Sequence, residues 1–505
     1  MMLGSYGGRS RERRSLLSRQ ASTSAMRSED EVASQPADES AGLHRKLSAF
    51  DALLLTLSCL SPVFSVYGPG SDVLQHAGTG AAALFLIGIG AAAVWGTVYA
   101  ELGSAYPYAG GDYVGVGSIL GPSAGFVCLA LWAVVVLPLN AYLAQMVAVY
   151  LAEVLPGAPL EPVTLIAMSL ATAAALLAVR AGALLTGVFL AIELLAVLAL
   201  IAAGLWHPSG NLAAILTHPR LPDALGRWAP VAAATMAMGA VNTAFATTGG
   251  NQAIAFGEEL IAPHRNMGRL ILIACLTGAI AIALPVIAVA WSSVGHPAIF
   301  RSPAPLSAFV TALAGPLAGR ALSAAVALAV FNALIAQLLF SARLFFSFGR
   351  DGIFARRINA ALASVHGRSG VPRTATIAVA VGAGFCTLLS SHVLLVFISG
   401  LIVYAFALVS FAVLVGRLRG QTGRPGLWRS WLYPLAPILG LALALAFAVA
   451  DWADPDAGRP SLVILGALLL AAFAWYRFVL RRRPGGWMPR LEHPTAANGR
   501  SNAHP

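Results

Sequence analysis

Between Leu47 and Leu480 the sequence is a series of long apolar runs, at 48–70, 79–102, 118–154, 161–179, 184–205, 229–257, 268–293, 306–342, 373–390, 392–416, 431–450 and 460–480. Each is near the roughly 20 residues a helix needs to cross a hydrocarbon layer about 30 Å thick. Lipid offers backbone N–H and C=O groups no partner, so a chain built this way spans as helices, each satisfying its own backbone. Only 10% of the residues are charged, where a water-facing surface calls for about 25%. The expected fold is therefore an all-α polytopic membrane protein with twelve transmembrane helices over 47–480. Polar tails flank it, 1–46 and 481–505. The first has no apolar stretch of signal-peptide type and reads as a disordered tail.

The formal net charge of +11 could serve nucleic acid, but the basic residues sit in short clusters between apolar runs and fit a membrane better. With an even number of spans and both termini in the cytoplasm, every Lys and Arg except Arg220, Arg227, Arg301, Arg320 and Arg459 falls on the inner side. That asymmetry is the positive-inside rule, and it predicts a multi-pass protein of the cytoplasmic membrane whose inner face meets anionic lipid head groups. Cys59, Cys128, Cys275 and Cys386 lie inside apolar runs without metal-type spacing, and read as small core residues. None of the ten His is expected to pair with acids at metal spacing, so neither metal nor cofactor is anticipated.

Two runs are poor continuous helices. In span 1, Ser61-Pro62-Val63-Phe64-Ser65-Val66-Tyr67-Gly68-Pro69 carries two prolines, each of which removes a backbone donor and biases the residue before it away from helix. In span 6, Phe245-Ala246-Thr247-Thr248-Gly249-Gly250-Asn251-Gln252 gathers residues that disfavour helix or need polar partners. A break at membrane depth is tolerated only where protein or a water-filled cavity covers it. Interrupted helices five spans apart point to two inverted five-helix repeats with a solute site at the bilayer midplane. The free N–H groups of one half-helix suit a carboxylate, and the unwound carbonyls of another suit an ammonium group, so one broken pair can hold both ends of an amino acid.

Four stretches resemble the amino acid-polyamine-organocation (APC) permeases. They are Ala100-Glu101-Leu102-Gly103-Ser104-Ala105-Tyr106-Pro107-Tyr108-Ala109-Gly110-Gly111-Asp112-Tyr113 after span 2; Gly249 to Glu259 with Pro263-His264-Arg265-Asn266; Phe331-Asn332-Ala333 with Ser341-Ala342-Arg343 and Gly349-Arg350-Asp351-Gly352; and His366-Gly367-Arg368 with Val371-Pro372. The resemblance implies a LeuT-like fold of five plus five helices with helices 1 and 6 broken, plus two further helices, moving amino acids or small amines by alternating access. Carried over by position, it implies a substrate site from Ser61, Pro62, Val63, Phe64 and Ser65 together with Phe245, Thr247, Thr248, Gly249, Gly250 and Asn251. Many members have a Gly-small-Gly triplet where this chain has Pro62-Val63-Phe64, and a Glu where it has Asn251. Without that acid, and with no arginine in mid-span, a neutral amino acid or small amine is favoured over a dication or dicarboxylate.

Glu193 is the one carboxylate that the sequence places deep inside a span, where a charge is costly and a functional role is the default reading. It is either a proton carrier or a structural acid bonded to span 1 or span 8. Glu101, Glu258 and Glu259 fall at inner helix ends near arginines and read as inner-gate or loop-anchoring ion pairs. Asn140, Tyr142 and Gln145 of span 3 and Asn332 and Gln337 of span 8 either line the site or tie helices together. There is no His-Glu-x-x-His, Gly-x-Ser-x-Gly or P-loop motif, so neither an enzyme nor a primary pump is expected. A secondary transporter, proton-coupled or exchanging, is the favoured reading. A permease-like receptor that binds without transport is the alternative.

Overall fold

Proline decides the course of span 1. Pro62 and Pro69 cannot bond the carbonyl four residues back, and in the computed structural model the helix stops at both, running as Ala49–Leu60, Pro62–Tyr67 and Pro69–Ala77. Ser61 lies between the first two pieces in the left-handed region, φ 43°, which costs a residue with a Cβ about 1–2 kcal/mol. Gly68 separates the second and third pieces at φ −88°, ψ −91°. The structure describes residues 48–108, 110–177, 183–223, 225–257, 260–364, 372–483 and 487. The tail 1–46 lies outside the described residues, and so does almost all of 484–505.

The remaining spans follow the apolar runs. Span 2 is Ala81–Ala105, span 3 Pro122–Val154, span 4 Leu160–Leu177, span 5 Ala183–Trp206, span 7 Pro263–Ser292, span 9 Arg373–Cys386, span 10 Ser391–Leu418, span 11 Leu435–Ala453 and span 12 Gly458–Trp475. Span 6 is helical only over Ala233–Thr247, and continues after its break as a 3-10 segment, Gly250–Phe256. Span 8 departs from expectation. The apolar run from 306 is two helices, a short one at Pro305–Ala314 and the membrane helix proper at Pro316–Arg350. They are divided at Gly315, φ 87°, a conformation open mainly to glycine, followed by a proline that starts the new helix. A two-stranded hairpin, Arg220–Pro222 paired antiparallel with Trp228–Pro230, adds a small β element between spans 5 and 6.

Span 7 lies along span 2, span 8 along span 3, and span 9 against span 4, while the irregular segment of span 6 packs on the first piece of span 1. Pairing of helices five apart is what two interlocked five-helix repeats produce. Close approach depends on small residues, since hydrophobic burial does little to hold helices together in lipid. A Cβ on Gly250 would lie 2.4 Å from the backbone nitrogen of Cys275 in span 7, so this face of the break admits no side chain. Elsewhere an aromatic block joins spans 2, 10 and 11, with the Phe447 ring of span 11 centred 6.4 Å from that of Trp95 of span 2. Phe406 meets Trp95 and Tyr99 edge to face at centroid distances of 5.2 and 5.0 Å, geometries each worth about 0.5–1.5 kcal/mol beyond their buried area.

Candidate functional site

The two breaks meet. A Cβ on Gly249 would lie 2.3 Å from Leu60 Cδ1, the last side chain before the Ser61 break, and one on Gly278 of span 7 would lie 2.4 Å from Leu60 Cδ2. Gly249 has φ 146°, so it supplies both the turn of the chain and the space for Leu60. Each break is thus covered by protein from the other broken span, as hydrocarbon requires.

Glu193 of span 5 serves the first break. It is 3% exposed, and Ser61 Oγ donates to its Oε2 at 3.1 Å. The same Ser61 hydroxyl caps the following piece by accepting from the Phe64 amide at 3.5 Å, a long and weak contact. The acid therefore holds a strained residue in place, and backbone strain that persists is a pointer to function.

The expected substrate residues divide into three groups. Thr247 and Thr248 use their hydroxyls on backbone. Thr247 donates to Gly88 O of span 2 at 3.1 Å and to Thr243 O at 2.9 Å, and Thr248 donates to Ala244 O at 2.8 Å, which satisfies the end of the helix. Gly249 and Gly250 provide room for Leu60 and for span 7. Pro62, Val63, Phe64, Ser65 and Phe245 are buried around the breaks, with Phe64 edge to face on Tyr142 of span 3 at 5.7 Å. Asn251 is 5% exposed. Among the described residues Ser65, Tyr142 and Asn251 make no side-chain hydrogen bond, so polar capacity beside the breaks stays unspent. The second joint of span 1 is tied to span 3. Tyr150 Oη donates to Tyr67 O at 2.6 Å and lies 3.1 Å from Ser71 Oγ.

Asn140 and Gln145 tie helices together. Asn140 Nδ2 donates to Ser341 Oγ of span 8 at 2.9 Å, and Gln145 Nε2 to Thr387 O and Leu389 O at the end of span 9. Glu101, fully buried, accepts a two-pronged pair from Arg417 of span 10, Nε and Nη2 each at 3.0 Å. Thr422 Oγ1 and the Ser430 amide complete its shell at 2.9 and 3.1 Å. The span 10–11 loop is thereby anchored to the end of span 2. Glu258 and Glu259 lie outside the described residues. A groove of about 340 Å³ between spans 5 and 7 has an almost wholly apolar lining, including Leu194, Leu198 and Leu284, and is separate from the breaks.

One sequence expectation needs correction. Asp451, 1% exposed and accepting from Tyr404 Oη at 3.0 Å, is a further buried acid, but it lies near the end of its helix, Leu435–Ala453, and not deep within a span as Glu193 does. The histidines are not free of acids. At the arginine-poor end of the bundle, Asp72 and His76 of the third piece of span 1 meet His392 of span 10, with one prospective ligand atom from each lying within 4.8 Å of the others. Asp72 and His76 are four apart on one helix face, a signal present in the sequence. His392 is distant in the chain, and only folding adds it.

Comparison with known proteins agrees with this architecture. A family model described as amino acid permease matches residues 47–473. The mouse Asc-type amino acid transporter 1 is 27% identical over 430 residues, covering 78% of this chain and 76% of the relative. The human large neutral amino acids transporter small subunit 2 is 27% identical over 436 residues, covering 79% and 76%. Among solved structures, a manganese transporter mutant from Eremococcus coleocola superposes with a TM-score of 0.53 at 12% identity, covering 84% of this chain and 94% of its own. At that identity the likeness concerns the fold alone.

Proposed function

The chain belongs to the amino acid permease family, and on that premise we propose that it carries neutral amino acids across the cytoplasmic membrane by alternating access, coupled to protons or by exchange. It is a transporter and not an enzyme, as are the relatives it matches. The observation that carries the proposal is the meeting of the two breaks, Leu60 seated on Gly249, with Ser65, Tyr142 and Asn251 left to bind a solute. Neutral cargo is supported by an amide at Asn251 where many members carry an acid, and by the name of one relative, the large neutral amino acids transporter small subunit 2. In this reading the substrate's charged groups are met by the loose backbone of spans 1 and 6, and its side chain by Phe64, Phe245 and Tyr142. Glu193 fixes the Ser61 joint, and its protonation state acts on the break through that bond. Glu101 closes the inner end by holding span 10 and its loop, and both termini face the cytoplasm.

The test is uptake of labelled neutral amino acids into proteoliposomes. Wild type is expected to accumulate or exchange at least one of them, and Asn251→Ala to lower uptake by at least about 10-fold, the effect of roughly 1.4 kcal/mol in the loaded state, with yield and melting temperature unchanged. Undiminished uptake in Asn251→Ala would remove this residue from the site. Absence of uptake and exchange for every neutral amino acid would overturn the function.

A further inference from the structure

We propose that Asp72, His76 and His392 form a binding site for a divalent transition metal of the Zn2+ type, which fastens the third piece of span 1 to the start of span 10. His392 Nδ1 lies 2.9 Å from Asp72 Oδ1, and His76 Nδ1 lies 3.5 Å from the same oxygen. Zinc bonds of about 2.0–2.1 Å at tetrahedral angles set ligand atoms about 3.3 Å apart, and the two observed separations bracket that spacing. The imidazole rings lie side by side, centroids 4.4 Å apart and inclined by 30°, so both present Nδ1 to one carboxylate.

The donor set is two imidazole nitrogens and one carboxylate oxygen, which suits borderline ions such as Zn2+ and not Ca2+ or Mg2+, whose ligands are oxygens. Three protein ligands leave the fourth position for water or an incoming group, and the His76 and His392 side chains are 46% and 37% exposed. The Asp72 side chain, 13% exposed, is held from behind. Asn242 Nδ2 of span 6 donates to its Oδ2 at 3.0 Å, the kind of outer-shell bond that orients a ligating carboxylate. His76 Nδ1 also lies 2.8 Å from Asp72 O. Binding requires each histidine to carry its proton on Nε2 instead and His76 to rotate slightly, which its exposure permits.

The cluster joins spans 1, 6 and 10 at one end of the bundle, so an ion there opposes any separation of these helices. That consequence rests on the transport reading, while the site itself does not. The deciding experiment is titration of the purified, chelator-stripped full-length protein with Zn2+ against a chromophoric chelator. Wild type is expected to bind one equivalent that His76→Ala and His392→Ala lose or bind at least about 10-fold more weakly. His392→Cys, which keeps a zinc ligand, is expected to retain it, and His264→Ala, remote from the cluster, to match wild type. Superimposable titrations for wild type and both cluster alanine variants would overturn the site, as would failure of wild type to bind. In proteoliposomes, Zn2+ is expected to slow uptake by wild type and not by His392→Ala, each against its own metal-free rate. Equal slowing of both would overturn the fastening role, whereas lack of uptake without metal would count against transport and leave the titration to decide the site.

Discussion

At the scale of single residues, Ser61 is where sequence, strain and chemistry meet. Its left-handed backbone and its bond to Glu193 are parts of one arrangement, so Ser61→Ala keeps the strain and leaves a buried acid without that donor. An unmet buried acceptor costs about 1–3 kcal/mol, and the variant should melt at lower temperature in detergent. Glu193→Gln separates the two roles of the acid. Its amide oxygen still accepts from Ser61, so the fold is expected to stand. If the acid carries protons, pH-driven uptake is lost while exchange persists; an unchanged pH dependence leaves only the structural role. The sequence exposed Ser61, Pro62 and Glu193 individually, through prolines and a lone acid in an apolar run. Which helix Glu193 would bond was open, because nothing local encodes a contact across 132 residues.

At the scale of elements, a buried ion pair closes the junction of spans 2 and 10. Breaking such a pair by removing one partner typically costs about 3–5 kcal/mol, since the remaining charge stays buried. Arg417→Ala should therefore destabilise more than Ser61→Ala and open the loop at 420–430 to protease, which limited proteolysis and a melting curve would detect; an intact loop would limit the pair to a passive role. Where helices start and stop was legible when breakers stood alone, as at Pro62, Pro69 and Gly249-Gly250. It was not legible at Gly315-Pro316, because the flanking residues are apolar on both sides and a short helix looks the same as the start of a span. The threonines of span 6 were readable as polar and not as self-satisfied, since a hydroxyl that caps its own helix and one that awaits a ligand have the same sequence.

For the molecule as a whole, the pairing of spans five apart makes two repeats share one interior, and the orientation proposed from the arginine distribution is open to a direct test. Fusion of a reporter active only in the cytoplasm to the C-terminus should give signal, and fusion within the hairpin at 223–227 should give none; the reverse result would invert the orientation. The family assignment rested on motifs in order along the chain, which a sequence displays fully. The Asp72, His76 and His392 cluster depended on span 1 reaching Ala77 and on span 10 arriving beside it, and only the assembled bundle displays that. Span 1 is cut twice, at Ser61 and at Gly68, with Glu193 gripping one joint and Tyr150 the other. A rod with two elbows and a clamp at each has two separate places to bend, one on either side of a middle piece only six residues long.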